Sequence, residues 1–285
     1  MSVAVSMPHH QPAEKDTTVI HQRKREILRM KIAARIVFLL IVFFPSTALW
    51  AAPAVAVASN MTHVMTAIVA KYHSISGKNV KLTFGSSGNF TRQIEQGAPY
   101  TVFVSAAGKY VDILADKDLL QKAAVPYARG QIGLFIPKNS QLYKAADLHA
   151  VFNALYYGEY RRIAIANPEH APYGVAAEQA LQSGGLWAIE KKRLLLATDA
   201  AQVTQYVLSG GVDVGIIPAS FAHLPVVTNN GRFIPIPADW HAPIQQYLAL
   251  VHGAGKGSRD FYRFLLGKEA RSILEQSGYT FPDQD

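Results

Sequence analysis

Val80–Gln96 reads VKLTFGSSGNFTRQIEQ, and this stretch decides the fold class. Val80–Phe84 alternates and is rich in strand formers. Gly85-Ser86-Ser87-Gly88 is a turn, and a helix is expected from about Asn89 to Gln96. The same step occurs on both sides. Upstream, Ala54–Ala58 (AVAVA) runs into Ser59-Asn60 and a helical pattern from Met61 to about Ser76. Downstream, Val102–Ser105 (VFVS) precedes a helix from about Gly108 to Leu119. Strands spaced by helices imply βαβ units and a parallel sheet, hence an α/β protein.

Further along, Ile132–Ile136 (IGLFI) is a strand ended by Pro137, and Arg162–Ala166 (RIAIA) begins a second series. Helices are expected from about Gly174 to Ser183 and from about Ala201 to Ser209. Val212–Ile217, Arg232–Ile236 and Tyr247–Val251 read as strands, and a helix broken near Gly267 runs from Ser258 to about Ser277. No internal repeat of fixed period is present. The order suggests two lobes joined by two crossings. Lobe one spans 54–134 plus 223–285, and lobe two spans 135–222. Ligands of open α/β sheets bind beyond the carboxyl ends of the strands, so the expected site is the cleft between lobes.

The chain has 285 residues, 49% of them apolar, enough for substantial cores. Its formal charge of +8 is uneven: residues 1–51 hold seven Lys/Arg against three acids. The remainder carries 21 basic and 17 acidic residues, too weak an excess, and without any basic–aromatic stripe, to point to nucleic acid. With no cysteine, the chain has no disulfide, thiolate metal site, cysteine nucleophile or lipidated cysteine.

Ile36–Phe44 (IVFLLIVFF) is a nine-residue apolar run preceded by Arg29, Lys31 and Arg35 and followed by Pro45 and small residues. That is the order of a secretory signal peptide, and it is short against the roughly 20 residues of a bilayer span. Residues 1–51 are therefore expected to be a signal peptide, cleaved after Ala51 or Ala52. Met30 opens a compact signal by itself, so residues 1–29 are read as an over-called extension.

The chemistry is expected in four turns that open helices: Ser59-Asn60, Ser86-Ser87-Gly88, Pro172-Tyr173-Gly174 and Asp199-Ala200-Ala201. A helix start offers unpaired N–H groups and about half a positive charge, which suits an anion. Taken singly, each turn is an ordinary cap; their number and their split between two lobes favour a shared site. None carries Lys or Arg, so the donors are neutral. A carboxylate aimed at an anion would repel it, so Asp199 is expected to cap its own helix.

Ala58-Ser59-Asn60, Phe84–Gly88 with Arg92–Pro99 (RQIEQGAP), Ala166–Gly174 (ANPEHAPYG) and Asp213–Ile217 together resemble the periplasmic molybdate-binding proteins of ABC importers, from about Ala54 to Tyr279. The resemblance implies a two-lobed type II periplasmic binding protein fold, with mixed sheets flanked by helices and a molybdate or tungstate oxyanion between the lobes. It implies no cofactor, no protein-ligated metal, a monomer, and a membrane permease and ATPase as partners. By position, Ser59 and Ser87 would donate hydroxyls and N–H groups, Asn60 a donor beside Ser59, and Tyr173 and Ala200 backbone N–H groups. Many family members place a ligand-reaching tyrosine where this chain has Pro218, which has no N–H to donate; relatives without it carry a tyrosine in the Pro-x-Gly turn, as Tyr173 does.

Other readings are a binding protein for sulfate, thiosulfate or another anion, a serine hydrolase, and a metal-binding protein. Gly85-Ser86-Ser87-Gly88 lacks the spacing of a nucleophile elbow. Met61-x-His63-x-Met65 on a helix puts the methionines on one face and His63 elsewhere. The methionines are therefore expected in the core and His63 at a lobe edge.

Overall fold

The computed structural model describes residues 52–190 and 193–281, together with Met30. The expected signal peptide, Met30 apart, lies outside the described residues.

The first sheet is built on β1 (Ala54–Ala58), whose Val55–Ala58 are all buried, as expected of a strand covered on both faces. A single turn of 3-10 helix, Ser59–Met61, leads into α1 (Thr62–Ser76), which ends at Gly77. Gly77 takes φ 67° and returns its N–H to His73 O, the left-handed stop that glycine permits. Then follow β2 (Lys81–Gly85), α2 (Ser87–Glu95), β3 (Val102–Ser105), α3 (Gly108–Asp116) and β4 (Val125–Gly130).

The second sheet starts with β5 (Ile132–Pro137), every residue of which is buried. It continues through α4 (Leu148–Tyr156), β6 (Ile163–Ala166), α5 (Pro172–Ser183), α6 (Trp187–Glu190), β7 (Leu194–Ala197), α7 (Ala200–Leu208), β8 (Val214–Pro218), α8 (Pro225–Thr228) and β9 (Gly231–Pro235). Finally β10 (Ile244–Leu250) returns to the first sheet, followed by α9 (Lys256–Leu265) and α10 (Lys268–Gln276).

The strand orders are β2-β1-β3-β10-β4 and β7-β6-β8-β5-β9. β1 pairs in parallel with β2 and β3, and β6 with β7 and β8, while β10 and β5 run antiparallel to their neighbours. Both sheets are thus mixed, with helices packed against them. The chain passes between sheets twice, through Gln131 and through residues 236–243. Sequence patterning sets these passages at 134/135 and 222/223. The strand at Gly231–Pro235 instead pairs with β5 in the second sheet, because alternation marks a strand but not its partner. Patterning also marks neither β4, whose Pro126 and Gly130 weaken the strand signature, nor β7, a four-residue apolar run.

Apolar side chains cover both faces of each sheet. Met61 and Met65 are fully buried in the core under the first sheet, and exposed His63 meets Phe221 edge-on at 5.2 Å. One cluster bridges the two sheets, bringing Ala58 and Ala106 together with Tyr173 and Ala200. That cluster forms the floor of the site.

Candidate functional site

Parallel strands end together, so the helices that follow them begin together. Ser59 and Asn60 follow β1, Ser86 and Ser87 follow β2, Ala106 follows β3, and Ala200 lies just after β7. Tyr173 is reached from β6 through the loop 167–171. All of them line one small, nearly closed cavity. All five residues singled out by sequence, Ser59, Asn60, Ser87, Tyr173 and Ala200, therefore meet in one place, two turns from each sheet.

The two serines are oriented alike. Ser59 Oγ accepts the N–H of Ala200 at 3.1 Å and lies 3.4 Å from that of Ala201. Ser87 Oγ accepts the N–H of Ala106 at 3.0 Å. Both residues are buried, at 4% and 0% exposure. Since each oxygen already accepts from the backbone, the hydroxyl proton is the group left for the cavity.

The helix starts add donors. In α2, Ser86 Oγ caps Asn89 N–H at 3.4 Å, and Gly88 N–H reaches across to His170 O at 3.0 Å. Ser87 N–H is a first-turn group with no partner inside its helix. In α5, Pro172 occupies the first position and has no N–H to satisfy. Gly174 and Val175 N–H both return to Ala171 O, and Tyr173 N–H is the first-turn donor beside the cavity. In α7, Asp199 Oδ1 accepts from Ala201 N at 2.9 Å and Gln202 N at 3.1 Å. Asp199 thus caps its own helix, and Ala200 N–H is engaged by Ser59.

The side chain of Asn60 is committed elsewhere than to the cavity. Its side-chain Nδ2 has two protons, and they go to Gln246 Oε1 at 3.0 Å and Tyr279 Oη at 2.9 Å. The side chain is an anchor in this structure, and what Asn60 can turn to the cavity is its backbone N–H. The Tyr173 hydroxyl belongs to the same buried group as Asn60 and Tyr279. Its buried Oη makes no hydrogen bond of full geometry, interacts with Tyr279 and Asn60, and lies where a Cβ on Gly130 would sit. Burial raises the Tyr173 pKa well above that of an ordinary tyrosine and pushes Tyr279 up to about 12, so both stay neutral.

No residue lining the cavity carries a formal charge. Gly88 is required at the cleft because a Cβ there would meet His170 O at 2.9 Å and the Tyr110 ring. Pro218 closes β8 and is followed by Ser220, whose Oγ donates to Asn60 O at 3.0 Å. Sequence reasoning does not reach Gln246, Tyr279 or Ser220. They lie 186, 219 and 160 positions from Asn60, and no local pattern links them.

Among the described residues, no cluster of three or more His, Cys, Asp or Glu is arranged to hold a metal. The serine hydroxyls pair with backbone N–H groups rather than with a histidine, which is not the geometry of an activated nucleophile.

Comparison with known proteins places the chain in a family. Residues 53–280 match the family model of bacterial extracellular solute-binding proteins. The chain is 30% identical over 229 residues to the molybdate-binding protein ModA of Azotobacter vinelandii, covering 79% of this chain and 88% of that protein. It is 28% identical over 225 residues to the ModA protein of Escherichia coli K12, covering 78% and 86%. The solved periplasmic molybdate-binding protein of A. vinelandii superposes with a TM-score of 0.73 at 26% identity, covering 81% of this chain and all of that one. The sulfate-binding protein SubI of Mycobacterium tuberculosis H37Rv shares the fold, with a TM-score of 0.65 at 13% identity over 82% of this chain and 88% of that one.

Proposed function

The chain belongs to the bacterial extracellular solute-binding proteins, among the molybdate-binding proteins, and on that premise we propose that it captures molybdate or tungstate for an ABC importer. The observation that carries this reading is the paired state of Ser59 Oγ and Ser87 Oγ, which leaves two hydroxyl protons for one uncharged cavity. The N–H groups of Asn60, Ser87 and Tyr173 complete the donor set, while Ala200 acts through Ser59. Helix starts from both sheets add their dipoles.

A site made only of donors holds a fully ionised tetrahedral oxyanion. It disfavours phosphate, which at neutral pH carries a proton that would need an acceptor. Binding needs no cofactor and no chemical step. The metal centre of molybdate is cargo, held through its oxygens.

The N-terminal charged, apolar and small-residue order supports export to the periplasm by a cleaved signal peptide. There the protein would work as a monomer, delivering its ligand to a membrane permease and ATPase. The two passages between sheets are the hinge of this reading, and the halves on either side close over the ligand.

A thermal-shift panel of oxyanions tests the assignment. A ligand that binds only the folded form at 100 times its dissociation constant adds about 2.7 kcal/mol of stability. Molybdate and tungstate are expected to raise the melting temperature, and phosphate is not. No shift with molybdate or tungstate would overturn the assignment. A shift with sulfate alone would transfer it to the smaller anion.

A further inference from the structure

Asn60 sits at a buried crossing of hydrogen bonds that the ligand contacts do not explain. Its amide donates to Gln246 Oε1 and Tyr279 Oη. Its carbonyl accepts from Tyr279 Oη and Ser220 Oγ, each at 3.0 Å. Tyr279 Oη also lies 3.3 Å from Ser220 Oγ. Tyr279 has one proton, and the shorter contact, 3.0 Å against 3.3 Å, directs it to the same carbonyl. All four residues are buried: Asn60 1%, Gln246 0%, Tyr279 4% and Ser220 8% exposed.

The partners divide by half. Gln246 lies on β10, and Tyr279 packs in the core of the first sheet. Ser220 belongs to the other half. It lies in the turn Ala219–Phe221 after β8, and its neighbour Phe221 packs in the core of the second sheet. Gln246 and Tyr279 hold Asn60 within one half, whereas Ser220 reaches it from the other, next to Ala219, whose N–H donates to Gln131 O at 2.8 Å where the chain passes between sheets. The adjacent residue, Ser59, is held from the other half too, by Ala200 N–H at the cavity.

We propose that Ser220 is a positioning residue for oxyanion capture: its bond to the Asn60 carbonyl forms only when the halves close, and it seats the Ser59–Met61 turn against the ligand. This inference rests on the oxyanion reading above. In the open form Asn60 O keeps Tyr279, and the Ser220 hydroxyl turns to water. The bond therefore stabilises the closed state alone, and a group that favours one state shifts the population only by its differential contribution. Its loss appears in the dissociation rate, since encounter occurs with the open form. Pro218, nearest to β8's end, has no N–H to offer, and Ser220 acts on the turn instead.

The test is calorimetric titration and stopped-flow release of molybdate from the purified full chain carrying Ser220→Ala, with Ser87→Ala and Tyr279→Phe alongside. For Ser220→Ala, affinity is expected to fall about three- to tenfold, the span of one net hydrogen bond. The dissociation rate should rise by the same factor, and the ligand-free melting temperature should not move. Tyr279→Phe, which also removes the bonds between Tyr279 and Asn60 inside the first half, should lower the ligand-free melt. Two results overturn the inference while the oxyanion reading stands. One is wild-type affinity and release for Ser220→Ala while Ser87→Ala weakens binding. The other is a loss for Ser220→Ala that appears fully in the ligand-free melt. If the wild-type chain gives no heat with molybdate, the oxyanion reading fails and takes this inference with it.

Discussion

Ser59 Oγ accepts the N–H of Ala200 at 3.1 Å across 141 positions of sequence, joining the turn after β1 to the first residue of α7. One hydroxyl thereby performs two tasks. It satisfies a buried helix-start donor of the opposite half, and it is left with its own proton to give. Removing it harms both. Ser59→Ala is expected to weaken molybdate binding by about 1–3 kcal/mol, the cost of leaving a buried donor without a partner. Calorimetry checks this; unchanged affinity would remove Ser59 from the site.

Ser87 is the counterpart in the first half and is wholly buried. Ser87→Ala deletes a hydroxyl aimed at a charged guest, so binding should weaken by about 1.5–3 kcal/mol. Its backbone N–H survives the substitution, so some affinity should remain. Titration of the variant with tungstate, whose shape matches molybdate, should show the same loss.

Tyr173 gives the opposite expectation. Its hydroxyl is buried beside Tyr279 and Asn60 without a hydrogen bond of full geometry, and its proposed contribution is a backbone N–H that phenylalanine retains. Tyr173→Phe should leave molybdate affinity within about twofold of wild type, since it removes no bond to the ligand. Any change in the melting temperature should be the same with and without ligand. A tenfold loss of affinity would show that the hydroxyl reaches the ligand.

Gly130 is tied to the same tyrosine. A Cβ there would run into Tyr173 Oη at the passage between sheets. Gly130→Ala should destabilise the fold by about 1–3 kcal/mol, as overpacking does. Adding Tyr173→Phe should recover part of the loss, and a denaturation series of the single and double variants measures the coupling.

Much of this site is legible in the sequence because local rules set it. Asp199 caps α7 as a carboxylate before a helix should. Pro172 opens α5, and the small residues after β1 and β2 open the turns. The two-sheet α/β architecture follows from the alternation of strands and helices. What stays hidden is set by distance along the chain. The register of β9 against β5, and the contacts of Gln246, Tyr279 and Ser220 with Asn60, depend on pairings with no periodic signature. The role of Asn60 is the clearest case. Its type suggests a donor to the ligand, and only its two buried partners show that the amide is already engaged.

Acid sensitivity should come in part from outside the site. Asp260 on α9 is held well below the usual carboxylate range, first by the hydrogen bond from Lys256 and then by that from Lys78, just beyond the end of α1. A carboxyl with a depressed folded pKa stabilises the fold above its unfolded pKa, about 4, and loses that contribution as pH falls through the folded value. Asp260→Asn should therefore lower the melting temperature at pH 7, and the gap to wild type should narrow steadily below about pH 4. A gap that stays constant down to the acid limit would show that the charge is not what Asp260 contributes.

The central claim is that uncharged hydroxyl and amide donors from both halves converge on one tetrahedral, fully ionised guest. Calorimetric titration of the purified protein at pH 7 with molybdate, and separately with phosphate, tests it most directly. The account predicts one molybdate bound per chain, no measurable phosphate binding, and loss of the molybdate heat in the Ser59→Ala/Ser87→Ala double variant. Equal binding of phosphate, or an undiminished molybdate isotherm in that double variant, would contradict it.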